Sequence, residues 1–169
     1  GGVTFGQNPR AASQVVRAVI KASRVPVITK LSPNVTDITV MARAVEDAGG
    51  HALSLINTFF GLAINLKTLK PVLGAGRGGV SGPAVKPMAL YLASEAVKAV
   101  TIPVIGIGGI ASAADAAEFL AVGCRAVQVG SILFRDPSAP GSILAGWEKL
   151  IRSHGKGSVR EFVGVARTA

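Results

Sequence analysis

The stretch IPVIGIGGIASAADAAEFLAVGCRAVQVGS, Ile102–Ser131, sets two short β-branched apolar runs either side of one helix-length segment. Each run ends on glycine, at Gly108-Gly109 and at Gly130-Ser131. Two apolar strands joined through one helix form a right-handed βαβ unit, with the strands parallel. Parallel strands are normally covered by helices on both faces. This segment therefore commits the chain to an α/β architecture.

The alternation recurs upstream. VPVITKL (Val25–Leu31) reads as a strand closed by the turn signal SPN, and ALSLIN (Ala52–Asn57) as the next. PVIGIGG (Pro103–Gly109) and RAVQVGS (Arg125–Ser131) bring the total to four. Helical spacing over Val35–Ala48 puts Ile38, Met41, Val45 and Ala48 on one face and stops at Gly49-Gly50. Helices are also predicted over Pro9–Ala22, Pro83–Ala99, Ser112–Val122, Pro140–Ser153 and Val159–Ala166. Pro9 and Pro83 occupy first-turn positions, and Ser112 with Asp115 approximates a capping box. Phe59–Gly79 breaks the repeat and reads as a small hairpin excursion. The strands are almost continuously apolar, which predicts cover on both faces. Four βα units are half of what a TIM barrel needs, and an open doubly wound sheet carries the same pattern. A length of 169 residues suits one domain, residues 1–169.

Composition narrows the function. Only 16% of residues are charged, below the roughly 25% of ordinary soluble domains, so much of this surface is expected to be covered by more chain or by partners. Cys124 is the single cysteine, leaving no disulfide framework and no cysteine metal cluster; a reducing, cytoplasmic setting is expected. No apolar run reaches the roughly 18–20 residues of a membrane-spanning helix. The net charge of +9 could signal nucleic acid, but the basic residues are scattered singly and aromatics are 5%. Base stacking needs aromatics, whereas an anionic ligand or simple surface drift accounts for the charge equally well.

In parallel α/β folds, sites form at the carboxyl ends of strands. Those ends carry Lys30, Asn57 with Thr58, Gly108 with Gly109, and Gly130 with Ser131. Glycine lets bare N–H groups approach a phosphate, and a following helix adds its dipole. A lysine ending an apolar strand either reaches solvent or faces an anionic ligand. Asn57 can donate and accept, as an amide- or carboxylate-bearing substrate requires. In GGVSGPAVKP, Ser81 is a candidate N-cap, and Gly82 either packs on a planar ligand or permits a turn. His51 reads as a solvated loop residue and His154 as a helix C-terminal one, with no triad partner for either. Cys124 starts a strand and reads as packing.

VPVITKLSPNVTDI, SLINT, GGVSGPAVKP, IPVIGIGGI and AVQVGS, in this order and spacing, resemble the class 1B dihydroorotate dehydrogenases, specifically their FMN-carrying catalytic subunits. The resemblance runs from the opening GG…FG…P to the closing EFVGVA. It implies a (β/α)8 barrel with FMN at the carboxyl ends of the strands. Lys30 would then contact the flavin ring, Ile56 and Gly82 would lie beside it, and Gly108, Gly109, Gly130 and Ser131 would hold the phosphate. Asn57 and Thr58 would bind dihydroorotate. The implied reaction, a step in pyrimidine biosynthesis, oxidises dihydroorotate to orotate. Electrons would pass to NAD through a subunit carrying FAD and an iron–sulfur cluster, and the complete subunit would form homo-oligomers. No metal, nucleic-acid or membrane partner is implied for this chain.

In that family a loop with a catalytic cysteine and a CPN motif precede the GG…FG stretch. The resemblance thus implies that this chain supplies the last four βα units of the barrel. The base would lie upstream of Gly1, Cys124 would not inherit its role, and the isolated chain would turn over weakly or not at all. KLSPNVTDI also resembles dihydropyrimidine dehydrogenase, so reduction of uracil or thymine is one alternative. A non-catalytic half-barrel that binds flavin or phosphate is the other.

Overall fold

Residues 5–167 are described by the computed structural model; Gly1 and Gly2 of the opening motif lie outside that range. Helix α1 (Pro9–Ala22) leads to β1 (Ile28–Leu31), α2 (Ile38–Asp47) and β2 (Ala52–Leu55). Four short strands follow: β3 (Phe59–Gly61), β4 (Ile64–Asn65), β5 (Lys70–Pro71) and β6 (Gly78–Val80). Then come α3 (Lys86–Ala99), β7 (Val104–Ile107), α4 (Ala113–Ala121), β8 (Ala126–Gln128), α5 (Ala139–Ser153) and α6 (Val159–Phe162).

One four-stranded sheet runs in the order β1-β2-β7-β8, with every neighbouring pair parallel. Each of its strands is followed by a helix, so four βα units are present, as the strand–helix alternation requires. The excursion lies between β2 and α3, where β3 pairs antiparallel with β6 and β4 with β5. No helix among the described residues is long and apolar enough to cross a membrane.

Local chemistry accounts for the helix starts. Asn8 caps α1, its side chain accepting from the Ala11 N–H at 3.1 Å, with Pro9 in the first turn. Asp37 accepts from the Thr39 N–H at 2.8 Å and starts α2. Ser112 Oγ accepts from the Asp115 N–H at 3.2 Å, which realises the capping signal of α4. Helix α2 stops at Gly49, whose φ of +90° favours a residue without a side chain.

The core lies between the sheet and its helices. Leu53, Leu55, Val45, Ala89, Ala93, Ala96 and Phe119 are fully buried within it. Alanines on the inner face of α3 let that helix settle close to the sheet. Gly106 of β7 leaves room for the Phe119 ring, which a Cβ at that position would strike. The predicted stripe of α2 is the buried one: Ile38, Met41, Val45 and Ala48 all face inward.

Several expectations need correction. Cover on both faces holds for β2, all four of whose residues are buried, but not for the edge strands β1 and β8. Ile28 is half exposed and Gln128 exposed: with Lys30 and Ala126 they lie on the one sheet face that the described residues leave open at its edges. The helix expected over Pro83–Ala99 divides into a tight turn at Pro83–Val85 and α3 proper. Gly82, not Ser81, holds the position before that turn, and no side chain caps it. The last helix ends at Phe162 rather than Ala166, turning at Gly164 with φ +83°. His51 is exposed, yet its Nδ1 accepts from the Val27 N–H at 3.0 Å, so it joins the approaches of β1 and β2.

Candidate functional site

Register decides which side chains meet. Lys30 pairs with Ser54, Ser54 with Ile105 and Ile105 with Ala126, so this row lies on one face of the sheet. Side chains alternate along a strand, which places Ile107 and Gln128 on the same face nearer the strand ends, while Ile56, just past β2, lines the cavity that opens there. Leu31, Leu55 and Gly106 turn the other way, towards the helices.

A cavity of about 470 Å³ opens on that inner face at the carboxyl ends of all four strands. Lys30, Ile56, Asn57 and Thr58 line one side, and Gly108, Gly109, Gly130 and Ser131 the other. Eight of the nine residues singled out from the sequence therefore line one cavity. Gly82 stands behind it, with its carbonyl oxygen 2.9 Å from where a Cβ on Gly109 would be. Gln128, Ser81 and Phe134 also line the cavity and were not anticipated. Only Gln128 carried a legible signal, a polar residue two places before the terminal glycine of a strand.

The wall has a defined electrostatic character. Lys30 is its one charged residue and makes no ion pair among the described residues, and no carboxylate lines the cavity. The N–H groups of Gly109, Ile110, Gly130 and Ser131 meet no protein acceptor among the described residues. Free donors beside one cation make an anion seat. Ile110 is buried, Gly109 and Ser131 are half-buried and Gly130 is exposed, so these donors are left for water or a ligand.

Glycine is required on one side of this seat. Gly108 has φ +132°, and a Cβ there would come 2.6 Å from the Ala89 Cβ and 3.2 Å from Ile56 Cγ1. Gly109 has φ +71°, and its Cβ would stand 2.8 Å from the Lys86 backbone nitrogen. Gly130 has open space on its Cβ side.

Two details differ from expectation. The N-terminus of α4 is already occupied by its own Asp115 carboxylate, which accepts from the Ala111 N–H at 3.1 Å and from Ser112 Oγ at 2.7 Å. An anion would therefore be held by the loop amides rather than by the dipole of α4. Asn57 uses one lone pair of Oδ1 on the Thr58 N–H at 2.9 Å, so its amide donors are the groups left to face the cavity.

Asn34, read from sequence as part of a turn signal, organises the rim. Its Nδ2 donates to the Thr58 carbonyl at 2.9 Å and its Oδ1 accepts from the Phe60 N–H at 3.0 Å. The loop after β1 is thus tied to the one after β2, which carries Asn57 and Thr58.

Cys124 is far from this chemistry. It is fully buried, and burial pushes its thiol up to about 12, which leaves it protonated and inert. A smaller cavity of about 340 Å³ beside β8 and α5 is lined by aliphatic side chains with Trp147 and Arg125, and holds none of the strand-end residues.

Comparison with known proteins gives a consistent result. The family model described as dihydroorotate dehydrogenase matches residues 1–151. The chain is 53% identical to the dihydroorotate dehydrogenase B (NAD(+)) catalytic subunit of Pelobacter propionicus, over 97% of this chain and 54% of that protein. It is 51% identical to the catalytic subunit of the same name from Desulforamulus reducens, over 98% of this chain and 55% of that protein. It is 54% identical to that of Geobacter metallireducens, over 97% and 54% respectively. The chain thus spans about half the length of these relatives. With the strand-end cavity in place and the family model matching most of its length, the chain belongs to the dihydroorotate dehydrogenase family.

Proposed function

We propose that this chain is the cofactor-holding part of an FMN-dependent dihydroorotate dehydrogenase and forms, as one domain, the last four βα units of a (β/α)8 barrel. One observation carries the reading: residues of two strand-end turns, whose amides meet no protein acceptor among the described residues, line one cavity with an unpaired lysine and no carboxylate.

A phosphorylated flavin fits these residues. The amides of Gly109, Ile110, Gly130 and Ser131 would hold the phosphate, and the seat at Gly108-Gly109 is bare because no side chain can stand there. Lys30 would sit beside the ring and favour added negative charge on it, while Ile56 packs alongside and Gly82 shapes the turn behind. Asn57 would donate to a carboxylate or amide of dihydroorotate, with Thr58 adjoining. Asn34 keeps these two aligned through the Thr58 carbonyl. Bound there, a flavin would supply the two-electron acceptor that oxidation of dihydroorotate to orotate requires, and the proton lost from the substrate would need a separate base.

That base is not on this wall. Among the described lining residues there is no carboxylate, imidazole or thiol, and a hydroxyl needs an adjacent base to be activated. General-base catalysis contributes roughly 10²–10⁴-fold, so the isolated chain should hold ligand and turn over poorly. The relatives' name specifies NAD(+) and a catalytic subunit. By the same reading, electrons would leave through a partner subunit bearing FAD and an iron–sulfur cluster, in the cytoplasm, from a homo-oligomer of the complete subunit.

The test is anaerobic titration of the gene's full-length product. It should purify with FMN whose visible absorbance is bleached by dihydroorotate and not by dihydrouracil. Bleaching by dihydrouracil alone would favour the dihydropyrimidine dehydrogenase type, and a flavin-free protein indifferent to both would overturn the reading.

A further inference from the structure

Lys86 lies in the first turn of α3 and has two contacts with the glycine turn. Its backbone nitrogen and Cβ would stand 2.8 and 2.7 Å from a Cβ on Gly109, so its main chain forms the wall behind that residue. Its Nζ reaches across to α4, 2.6 Å from Asp115 Oδ1 and 2.8 Å from Glu118 Oε1. The other oxygen of Asp115 accepts from the Ala111 N–H at 3.1 Å and from Ser112 Oγ at 2.7 Å. One carboxylate therefore joins α3 to the residue that follows Gly109-Ile110.

The Lys86 and Asp115 side chains are only 21% and 19% exposed, so water screens their bond weakly; Glu118, at 45%, contributes less. Hydrogen bonding to Asp115, and then to Glu118, holds the Lys86 ammonium above its usual value. Burial pushes the Asp115 carboxyl up, but hydrogen bonds from Lys86, Ser112 and Ala111 outweigh it and hold that group below the carboxylate range. Neither residue lines the cavity. Each helix is anchored independently of this pair, since Ala89, Ala93 and Ala96 of α3 and Ala116, Phe119 and Leu120 of α4 are fully buried in the cores behind them. The pair sits instead at the helix ends beside the turn.

We propose that Lys86 and Asp115 are positioning residues for the anion seat. Their ion pair clamps α3 to the loop entering α4 and so fixes the direction in which the Gly109 and Ile110 amides point. The inference rests on the reading that this seat takes the flavin phosphate. Without the clamp the loop keeps its fold but loses its aim, and the cost falls on the phosphate rather than on the ring.

Comparing FMN with riboflavin, which lacks the phosphate, separates these effects in the full-length protein. Lys86→Met keeps the stem and removes the charge. Losing a charged hydrogen bond should lower the preference for FMN over riboflavin about tenfold, with riboflavin affinity held within about twofold. Lys86→Arg should restore the preference. Asp115→Asn should reproduce the loss and provides the same comparison if Lys86→Met fails to fold. An undiminished preference in both Lys86→Met and Asp115→Asn would overturn the proposal. So would equal weakening of both ligands, which would mark the pair as merely structural. A wild-type protein that does not distinguish FMN from riboflavin would instead remove the phosphate reading on which the inference stands.

Discussion

Replacing Gly109 by alanine tests whether the turn after β7 is built by exclusion of a side chain. Two costs follow from the structure. At φ +71° an L residue sits in the left-handed region, which costs about 1–2 kcal/mol. The new methyl would also stand 2.7 Å from the Lys86 Cβ, 2.8 Å from its backbone nitrogen and 2.9 Å from the Gly82 carbonyl oxygen. Two of those three atoms are main chain and cannot swing aside, so overpacking adds about 1–3 kcal/mol. Restricting the unfolded chain returns about 0.4–1 kcal/mol, leaving a net loss of roughly 1–5 kcal/mol. Urea unfolding followed by emission from Trp147, the single tryptophan, reads global stability because Trp147 lines the other cavity. With a slope of about 2 kcal/mol/M, the midpoint should fall by roughly 0.5–2.5 M. Gly74→Ala, where nothing lies within 4 Å of the new Cβ, should stay within about 0.5 kcal/mol of wild type. If Gly109→Ala matched Gly74→Ala, the steric account of the turn would be wrong.

Cys124, buried and with its thiol raised to about 12, should resist alkylation at neutral pH in the folded protein and react at once in denaturant; rapid native labelling, read by mass spectrometry, would contradict its burial. Glu46 accepts from Thr101 Oγ1 at 2.6 Å, the Thr101 N–H at 2.8 Å and the Ile102 N–H at 3.1 Å, tying α2 to the approach of β7. The Thr101 hydroxyl leads in holding its carboxyl below the usual 4.5. Its folded value being the lower, its stabilisation is complete above the unfolded value and lost as pH falls through the folded one. Glu46→Gln should therefore cost on the order of 1 kcal/mol at pH 7, and the gap to wild type should close on acidification; a pH-independent gap would refute this. Within α5, Gly141 has open space whereas a Cβ on Gly146 would stand 2.7 Å from the Ala113 Cβ. Thermal melts should show Gly141→Ala neutral or up to about 1 kcal/mol more stable and Gly146→Ala less stable by about 1–3 kcal/mol.

Local patterns in the sequence were sufficient wherever the deciding partner lay close along the chain. Ser112 and Asp115 meet within one turn, and Ile38, Met41 and Val45 recur on one helical face, so both features were readable. The strand-end residues were readable for a different reason: a parallel sheet sends every carboxyl end to one side, whatever the loops do. What stayed hidden depends on distant partners. Lys86 looks like a surface lysine in GGVSGPAVKP until Asp115, 29 residues on, is placed beside it. Asn34 looks like a turn residue until Thr58 and Phe60 close on it. Glu46 finds Thr101 at a separation of 55 residues. The exposure of β1 and β8 was also illegible, since an apolar strand reads alike at the centre and at the edge of a sheet.

The central claim is that the amides at the ends of β7 and β8 hold the phosphate of a flavin. A crystal structure of the full-length protein with its flavin bound tests this most directly. The account predicts phosphate oxygens within hydrogen-bonding distance of the Gly109, Ile110, Gly130 and Ser131 N–H groups, with Lys30 beside the ring. A flavin whose phosphate is held elsewhere, or a cavity that stays empty while flavin binds at another surface, would contradict it.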